Sequence, residues 1–389
     1  MDPHPGLAAR PVYLDYNGTT PVDPAVVDAM LPYLRVEFGN PSSSHAYGRA
    51  ARAAVDTARS QVGDLIGGHD GRILFTGSGS EADALAITGS VLANRRAGRR
   101  AHVITQATEH PAVLAACADL ADLHDVDVTV LPVDQHGLVD PDAVADAITD
   151  ATVLVTVMHA NNETGTLQPI AHIARVAHAR GVLVHSDAAQ TIGKIPVDVH
   201  KLGVDLLTVV GHKMYAPKGV AVLWVRDGVA LRPLVGGGGQ ESGLRAGTEN
   251  VPHIVALGQA ARLAGQALEA GEPERLTRLR DELQQALEQH LSGRVHLNGH
   301  PTRRLPNTLN VSIDGVRALS LLGNVTDVAA SAGSACHAGH DSPSPVLTAM
   351  GLDPARAMSA LRLSLGRWTT THDIDRAATQ ISAACHHPS

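Results

Sequence analysis

At 389 residues the chain is long enough for one large domain and a smaller one, far above the size at which core burial is marginal. Hydrophobic residues make up 44 % and charged residues 18 %, which excludes a disordered chain; the formal net charge of −8 excludes a surface built mainly for nucleic acid, which needs clustered Lys and Arg. Cys117, Cys336 and Cys385 have no CxxC spacing, which excludes a disulfide framework or a four-cysteine zinc site and fits a reducing cytosol.

Residues 1–11 hold no basic region followed by an apolar stretch, so no signal peptide is expected there. No run approaches the ~20 apolar residues that span a bilayer, so a soluble cytoplasmic protein without a membrane partner is expected. Asp23-Pro24 reads as an N-cap followed by proline at the first helical position, as does Asp140-Pro141 further on. From 72 to 226 short apolar runs alternate with helical patterns. The runs are 72–75, 102–105, 128–131, 152–158, 182–185, 206–209 and 220–225. They are rich in Val, Ile and Leu without polar alternation, as in strands buried on both faces. The helical stretches between them include 80–95, 111–123, 142–148 and 170–180, and the basic cluster 95–100 reads as a solvated helix end. This alternation predicts a mostly parallel, doubly wound sheet, with any ligand at the carboxyl ends of its strands. After Thr248 a long helical region, 251–291, begins; its second part, 272–289, is charged and amphipathic and leads toward a second domain. Strands at 308–313 and 360–364 and a final helix at 373–384 complete the chain.

Four stretches carry chemistry. Gly77-Ser78-Gly79-Ser80-Glu81 follows a strand and opens a helix, where backbone amides and the helix N-terminus favour an anion. An ordinary turn with Ser80 as N-cap is the plain alternative. Asp187, in His185-Ser186-Asp187-Ala188-Ala189-Gln190, lies just past a buried strand end. It reads equally as a metal ligand, a ribose contact, a partner for a protonated ring nitrogen, or a helix cap. Lys213, in Val210-Gly211-His212-Lys213, closes the next apolar strand. Desolvation there would lower its amine pKa and suit imine chemistry, although a lone loop lysine is commonly just solvated. A glycine-rich phosphate loop, a strand-end acid and a strand-end lysine together are the parts that pyridoxal phosphate (PLP) chemistry needs. Finally, Cys336 sits among small residues in 331–340, with His337 and His340 able to promote its thiolate. A metal site from these three is the lesser alternative, and no metal is expected. Cys117 lies on an apolar helix and reads as a buried structural thiol, and Cys385 is given no role.

Further strings resemble one family: Tyr13-Leu14-Asp15-Tyr16-Asn17-Gly18-Thr19-Thr20-Pro21, Phe38-Gly39-Asn40-Pro41-Ser42-Ser43, Thr108-Glu109-His110, Asn161-Asn162-Glu163-Thr164-Gly165, Arg245-Ala246-Gly247-Thr248-Glu249-Asn250 and Leu363-Ser364-Leu365-Gly366-Arg367. With Asp187-Ala188-Ala189-Gln190 and Gly211-His212-Lys213 they resemble the cysteine desulfurases over 12–381, in the class V aminotransferase-like branch of PLP fold type I. The resemblance implies an α/β fold. A large PLP-binding domain at 20–260, with a mostly parallel mixed sheet flanked by helices, would be joined by a smaller α+β domain from 1–19 and 261–389 that carries the cysteine loop.

It also implies roles. Lys213 would hold the cofactor covalently and later move the substrate Cα proton, Asp187 would keep the pyridine nitrogen protonated, and His110 would stack on the ring and assist proton transfer. Asn162 and Gln190 would contact the cofactor near its ring oxygen; Gly79, Ser80 and His212 would bind its phosphate. Thr248 would reach the phosphate of the other subunit of a homodimer. Asn17, Asn40 and Asn162 would line the substrate subsite, and Arg362 would grip the substrate carboxylate as a bidentate clamp. Cys336 would attack the sulfur of L-cysteine, keeping a persulfide for an acceptor protein and releasing alanine.

The sequence departs from the family pattern where Val210 stands for a serine or threonine, Gly79-Ser80 for the usual Ala-Thr, and Ala84 for a frequent asparagine. The segment from Cys336 to Leu347, with Arg304-Leu305-Pro306-Asn307-Thr308, is similar to selenocysteine lyases as well. L-selenocysteine is therefore the alternative substrate, and an inactive scaffold or metal-binding protein is the reading from another class.

Overall fold

The computed structural model describes residues 4–8, 10–95, 100–333 and 342–386. At its centre is a seven-stranded sheet in the spatial order Gly71–Thr76, Ala221–Arg226, Leu206–Val210, Leu183–Asp187, Thr152–Thr156, His102–Gln106, Asp127–Leu131. Every pairing is parallel except the two made by Ala221–Arg226, which is antiparallel to both neighbours. The reason is the connection: residues 211–220 are too few for a crossover helix, so the chain turns straight back, whereas Ile170–His178 carries a parallel crossover. Leu207 and Val209 point into one core and Leu206 into another, which is why the strand shows no alternation of polarity. All seven expected strands form at or within two residues of their expected positions.

Two helical expectations differ. The stretch 80–95 is broken into Gly79–Ala84, a π-helical Leu85–Gly89 and Ser90–Asn94. At the break the Arg232 N–H donates to the Gly89 carbonyl (2.9 Å), an approach that a side chain at 89 would obstruct. The basic cluster at 95–100 falls mostly on residues outside those described. The region 251–291 is two helices, Val251–Glu269 and Glu272–His290, separated by Gly271 at φ 79° with Pro273 just inside the second.

That break separates two cores. Val251–Glu269 packs on Ala46–Ile66 and Pro24–Arg35 beside the large sheet. Glu272–His290 instead puts Leu276, Leu283 and Leu287 against Thr371–His386 and an antiparallel sheet ordered Ala360–Ser364, Thr308–Ile313, Val295–Leu297. The short strand Val12–Tyr13 pairs in parallel with Val328–Ala329, so the chain's beginning joins this second core. Ala46–Ile66, 21 residues long, has no counterpart among the expected elements; its buried stripe of Ala51, Val55, Ala58, Val62 and Ile66 is mostly small side chains, a weak apolar signal. Cys385 is buried in the last helix, Thr371–His386. No helix among the described residues is long and apolar enough to cross a membrane.

The two long helices touch at Gly258, where a Cβ would fall 2.6 Å from Ala58 Cα. Gly258→Val is expected to lower stability by about 1–3 kcal/mol through overpacking. Gly265→Ala on the same helix, where a Cβ meets only Leu65 Cδ1 at 3.9 Å, should be neutral or stabilising by about 0.5–1 kcal/mol. Chemical denaturation of both variants reads the contrast.

Candidate active site

Because the parallel strands all run one way, their carboxyl ends open onto one edge, and a cavity of about 550 Å³ lies there. The strand ending at Gln106 leads to Glu109 and His110, the next to Met158 and Asn162, Leu183–Asp187 to Asp187 and Gln190, and Leu206–Val210 to His212 and Lys213. Asn17 and Gly18 from the N-terminal segment and Arg362 from the smaller sheet line the same space.

Lys213 Nζ donates to the main-chain carbonyls of Asn17 (2.6 Å) and Gly18 (2.7 Å). Asp187 is buried, and one of its oxygens accepts from the Ala189 N–H (2.8 Å). Burial raises its carboxyl pKa, opposed by that bond and by His110 and Lys213. His110 caps the helix Pro111–His124, with Nδ1 accepting from the Ala112 N–H (3.2 Å); burial lowers its pKa. Two more acids stand beside Asp187. Asp83 is raised by burial and then by Asp187, and its Oδ1 has no hydrogen-bond partner. Glu109 is pushed up to about 8, chiefly by burial. Its Oε1 accepts from Met158 N (2.7 Å) and Gln106 Nε2 (2.9 Å), while Oε2 has none. His185, held between the Thr156 and Thr208 hydroxyls, is pushed down to about 3 by burial.

Ser80 lines the cavity and Gly79 backs it: a Cβ at 79 would fall 2.6 Å from Val210 Cγ2. The departures at 79 and 210 are therefore coupled, the valine methyl filling the space that an alanine at 79 would need. His212 bonds Thr19 Oγ1 through Nδ1 (3.1 Å) and is pushed down to about 4 by burial and then by Lys213. Arg362 is buried, with Nη2 on Asp15 Oδ1 (2.7 Å), Nη1 on the Asn162 carbonyl (3.2 Å) and Nε unmatched, the kind of unmet donor that a bound carboxylate satisfies. Part of the expected clamp is thus already engaged by Asp15.

Two expected residues are not brought to the cavity within one chain. Asn40 is exposed, its Oδ1 accepting from Ser42 N (2.9 Å), and Thr248 is exposed on a loop whose neighbour Arg245 pairs with Glu81 (2.7 Å). Cys336, His337 and His340 lie outside the described residues. Cys117 is buried and its thiol pushed up to about 12 by burial, as a structural cysteine. Asp15, Asp83, Glu109 and Lys194 were given no role from sequence. Only Lys194 offered a signal of its own, a solitary charge in the apolar run Ile192-Gly193-Lys194-Ile195-Pro196-Val197.

The aminotransferase class-V family profile matches residues 12–377. This chain belongs to that family. A protein named cysteine desulfurase IscS from Methanosarcina thermophila is 46 % identical over 369 residues, covering 94 % of this chain and 90 % of the relative. A solved structure titled NIFS-like protein superposes with a TM-score of 0.89 at 34 % identity, covering 97 % and 99 % of the two chains. Another, titled SspA in complex with cysteine, gives 0.78 at 35 %, covering 92 % and 99 %. The cofactor of the family member is pyridoxal 5′-phosphate. The cavity fits it: Asp187 is a buried acid whose charge a ring N–H⁺ would stabilise, Lys213 is a nearby amine, and the His110 ring is on the wall.

Between its ordinary value of 4.5 and about 8, Glu109 holds a proton in the folded protein that the unfolded chain has released. Folded-state binding of that proton makes stability fall as pH rises through this window. In the cofactor-free protein, Glu109→Gln, which keeps the accepting oxygen, is expected to flatten that slope by up to about 1.4 kcal/mol per pH unit. Denaturation curves at mildly acid and mildly alkaline pH check it.

Proposed function

We propose that this family member is a PLP-dependent cysteine desulfurase, converting L-cysteine to L-alanine and leaving the sulfur as a persulfide on Cys336 for an acceptor protein. The observation that carries the reading is the convergence of Lys213, Asp187 and His110 on one cavity, in a chain 46 % identical to a named cysteine desulfurase. The solved relative titled as a complex with cysteine supports the same substrate. The names of these relatives speak for sulfur over selenium.

Bound in the cavity, PLP supplies a covalent anchor for the amino group and an electron sink for the bond broken at the substrate Cα. Asp187 would hold the proton on the ring nitrogen, and Gln190 and Asn162 would hold the ring at its oxygen edge. Ser80, His212 and the backbone at Gly79 take the phosphate. Arg362 binds the substrate carboxylate, exchanging part of its contact with Asp15. Lys213 moves the Cα proton, with His110 assisting. The Cys336 thiolate then forms a bond to the substrate sulfur as the Cβ–S bond breaks, and the electron pair left on carbon is taken up by a proton.

Thr248, exposed and away from its own chain's cavity, serves the partner subunit's phosphate in a homodimer, and Asn40 belongs to the substrate subsite. The division into two domains, 20–260 and 1–19 with 261–389, is supported by the presence of two cores, although the larger core reaches past 260 to Ala261 and Ala264. The isolated cysteines, as a reducing compartment would keep them, support a cytoplasmic enzyme.

Purified protein should absorb visible light from its bound cofactor, and Lys213→Ala should lose that band. Cys336→Ala should keep the band while alanine formation from L-cysteine falls to background. Undiminished alanine formation would refute the sulfur-transfer role, and turnover of L-selenocysteine alone would replace the substrate.

A further inference from the structure

A second lysine lies behind the site. Lys194 sits in the turn that follows Asp187, four residues after Gln190, and is buried at 8 % exposure. Its Nζ donates to Gln190 Oε1 (2.8 Å) and to Asn17 Oδ1 (3.1 Å). Burial first, and then the two cations Lys213 and Arg362, push its pKa well below the ordinary value. Both contacts made by Nζ are to acceptors.

An N–H of Lys194 can bond only the oxygen of an amide and a main-chain carbonyl only its NH₂, so the two contacts of each amide agree on which way round it stands. With Oε1 on Lys194, the Gln190 NH₂ faces the other way: one N–H goes to the Asn17 main-chain carbonyl (3.1 Å) and the second is left for the cavity that Gln190 lines. Asn17 is set in the same manner. Its Oδ1 accepts from Lys194 and from Asn307 Nδ2 (3.1 Å), and its NH₂ donates to Thr308 Oγ1 (2.9 Å) and the Asn162 carbonyl (3.2 Å). Its main-chain carbonyl is the one that receives Lys213.

We propose that Lys194 is a positioning residue, which orients the Gln190 amide so that the bound cofactor's ring oxygen meets an N–H, and holds Asn17 where its carbonyl receives Lys213. The inference rests on the functional reading above, since PLP is the ligand it invokes. An N–H on the ring oxygen stabilises its negative charge. That lowers the proton affinity of the conjugated nitrogen joined to Lys213, which the absorbance of the bound cofactor reports.

The test titrates that absorbance with pH in PLP-loaded parent, Lys194→Met, Gln190→Ala and the double variant. Lys194→Met, close to lysine in shape but without a donor, should raise the midpoint by about one pH unit, a tenfold change in proton affinity. Gln190→Ala should raise it similarly, and the double variant no further, as for groups acting through one contact. An unchanged midpoint in Lys194→Met, or shifts that simply add in the double variant, overturns the proposal; a loose structural role would move stability but not this midpoint. Lys194→Gln retains a donor for Gln190 and should keep the parent midpoint. It decides the matter if Lys194→Met does not fold, and a midpoint displaced as far as in Gln190→Ala would then count against the proposal. A parent protein with no cofactor band overturns the functional reading itself, a result distinct from each of these.

Discussion

The Asn17 peptide is the joint on which the site depends. Its carbonyl receives both Lys213 and Gln190, its N–H donates to Ser364 Oγ (2.9 Å), and its side chain is shared among Lys194, Asn307, Thr308 and the Asn162 carbonyl. Lys194, Gln190 and Lys213 stand at the edge of the large sheet, whereas Thr308 and Ser364 belong to the smaller one. A buried peptide with every polar group matched is stiff, because releasing any bond leaves a donor or acceptor without water. The N-terminal segment thereby sets the distance between the two halves of the cavity.

Charge inside that cavity is arranged by burial more than by pairing. Asp187, Asp83 and Glu109 are all raised by desolvation, while His110, His212 and Lys194 are lowered by it. The low-dielectric setting disfavours the charged form of each of these groups. Asp187 shows the balance: burial raises its pKa, while the Ala189 N–H, His110 and Lys213 oppose the rise. The same burial makes Cys117 inert, its thiol pushed to about 12.

Two departures from the family pattern, Gly79 and Val210, occur as a pair because they occupy one volume. Read singly, each suggests a weakened phosphate site. Together they keep the packing behind Ser80 intact while exchanging a hydroxyl for a methyl group.

The strands, the strand-end positions of Asp187 and Lys213 and the glycine loop were legible in the sequence, because a doubly buried parallel strand is a continuous apolar run and a ligand crevice lies where such runs end. The helix Ala46–Ile66 was not, its stripe being made of small residues whose burial shows only against Val251–Glu269. Nor were the surroundings of Asp83, Glu109 and Lys194: a charged residue's environment is set by segments distant in sequence, and Asn17 is 177 residues from Lys194. Sequence by itself determined the fold class, the family and the lysine–acid pair, since these follow from periodicity and local motif. Tertiary structure decided how the Asn17 and Gln190 amides are oriented, how Arg362 is shared with Asp15, and that Gly79 and Val210 occupy one volume. Those depend on hydrogen-bond direction and excluded volume between segments that no local pattern connects.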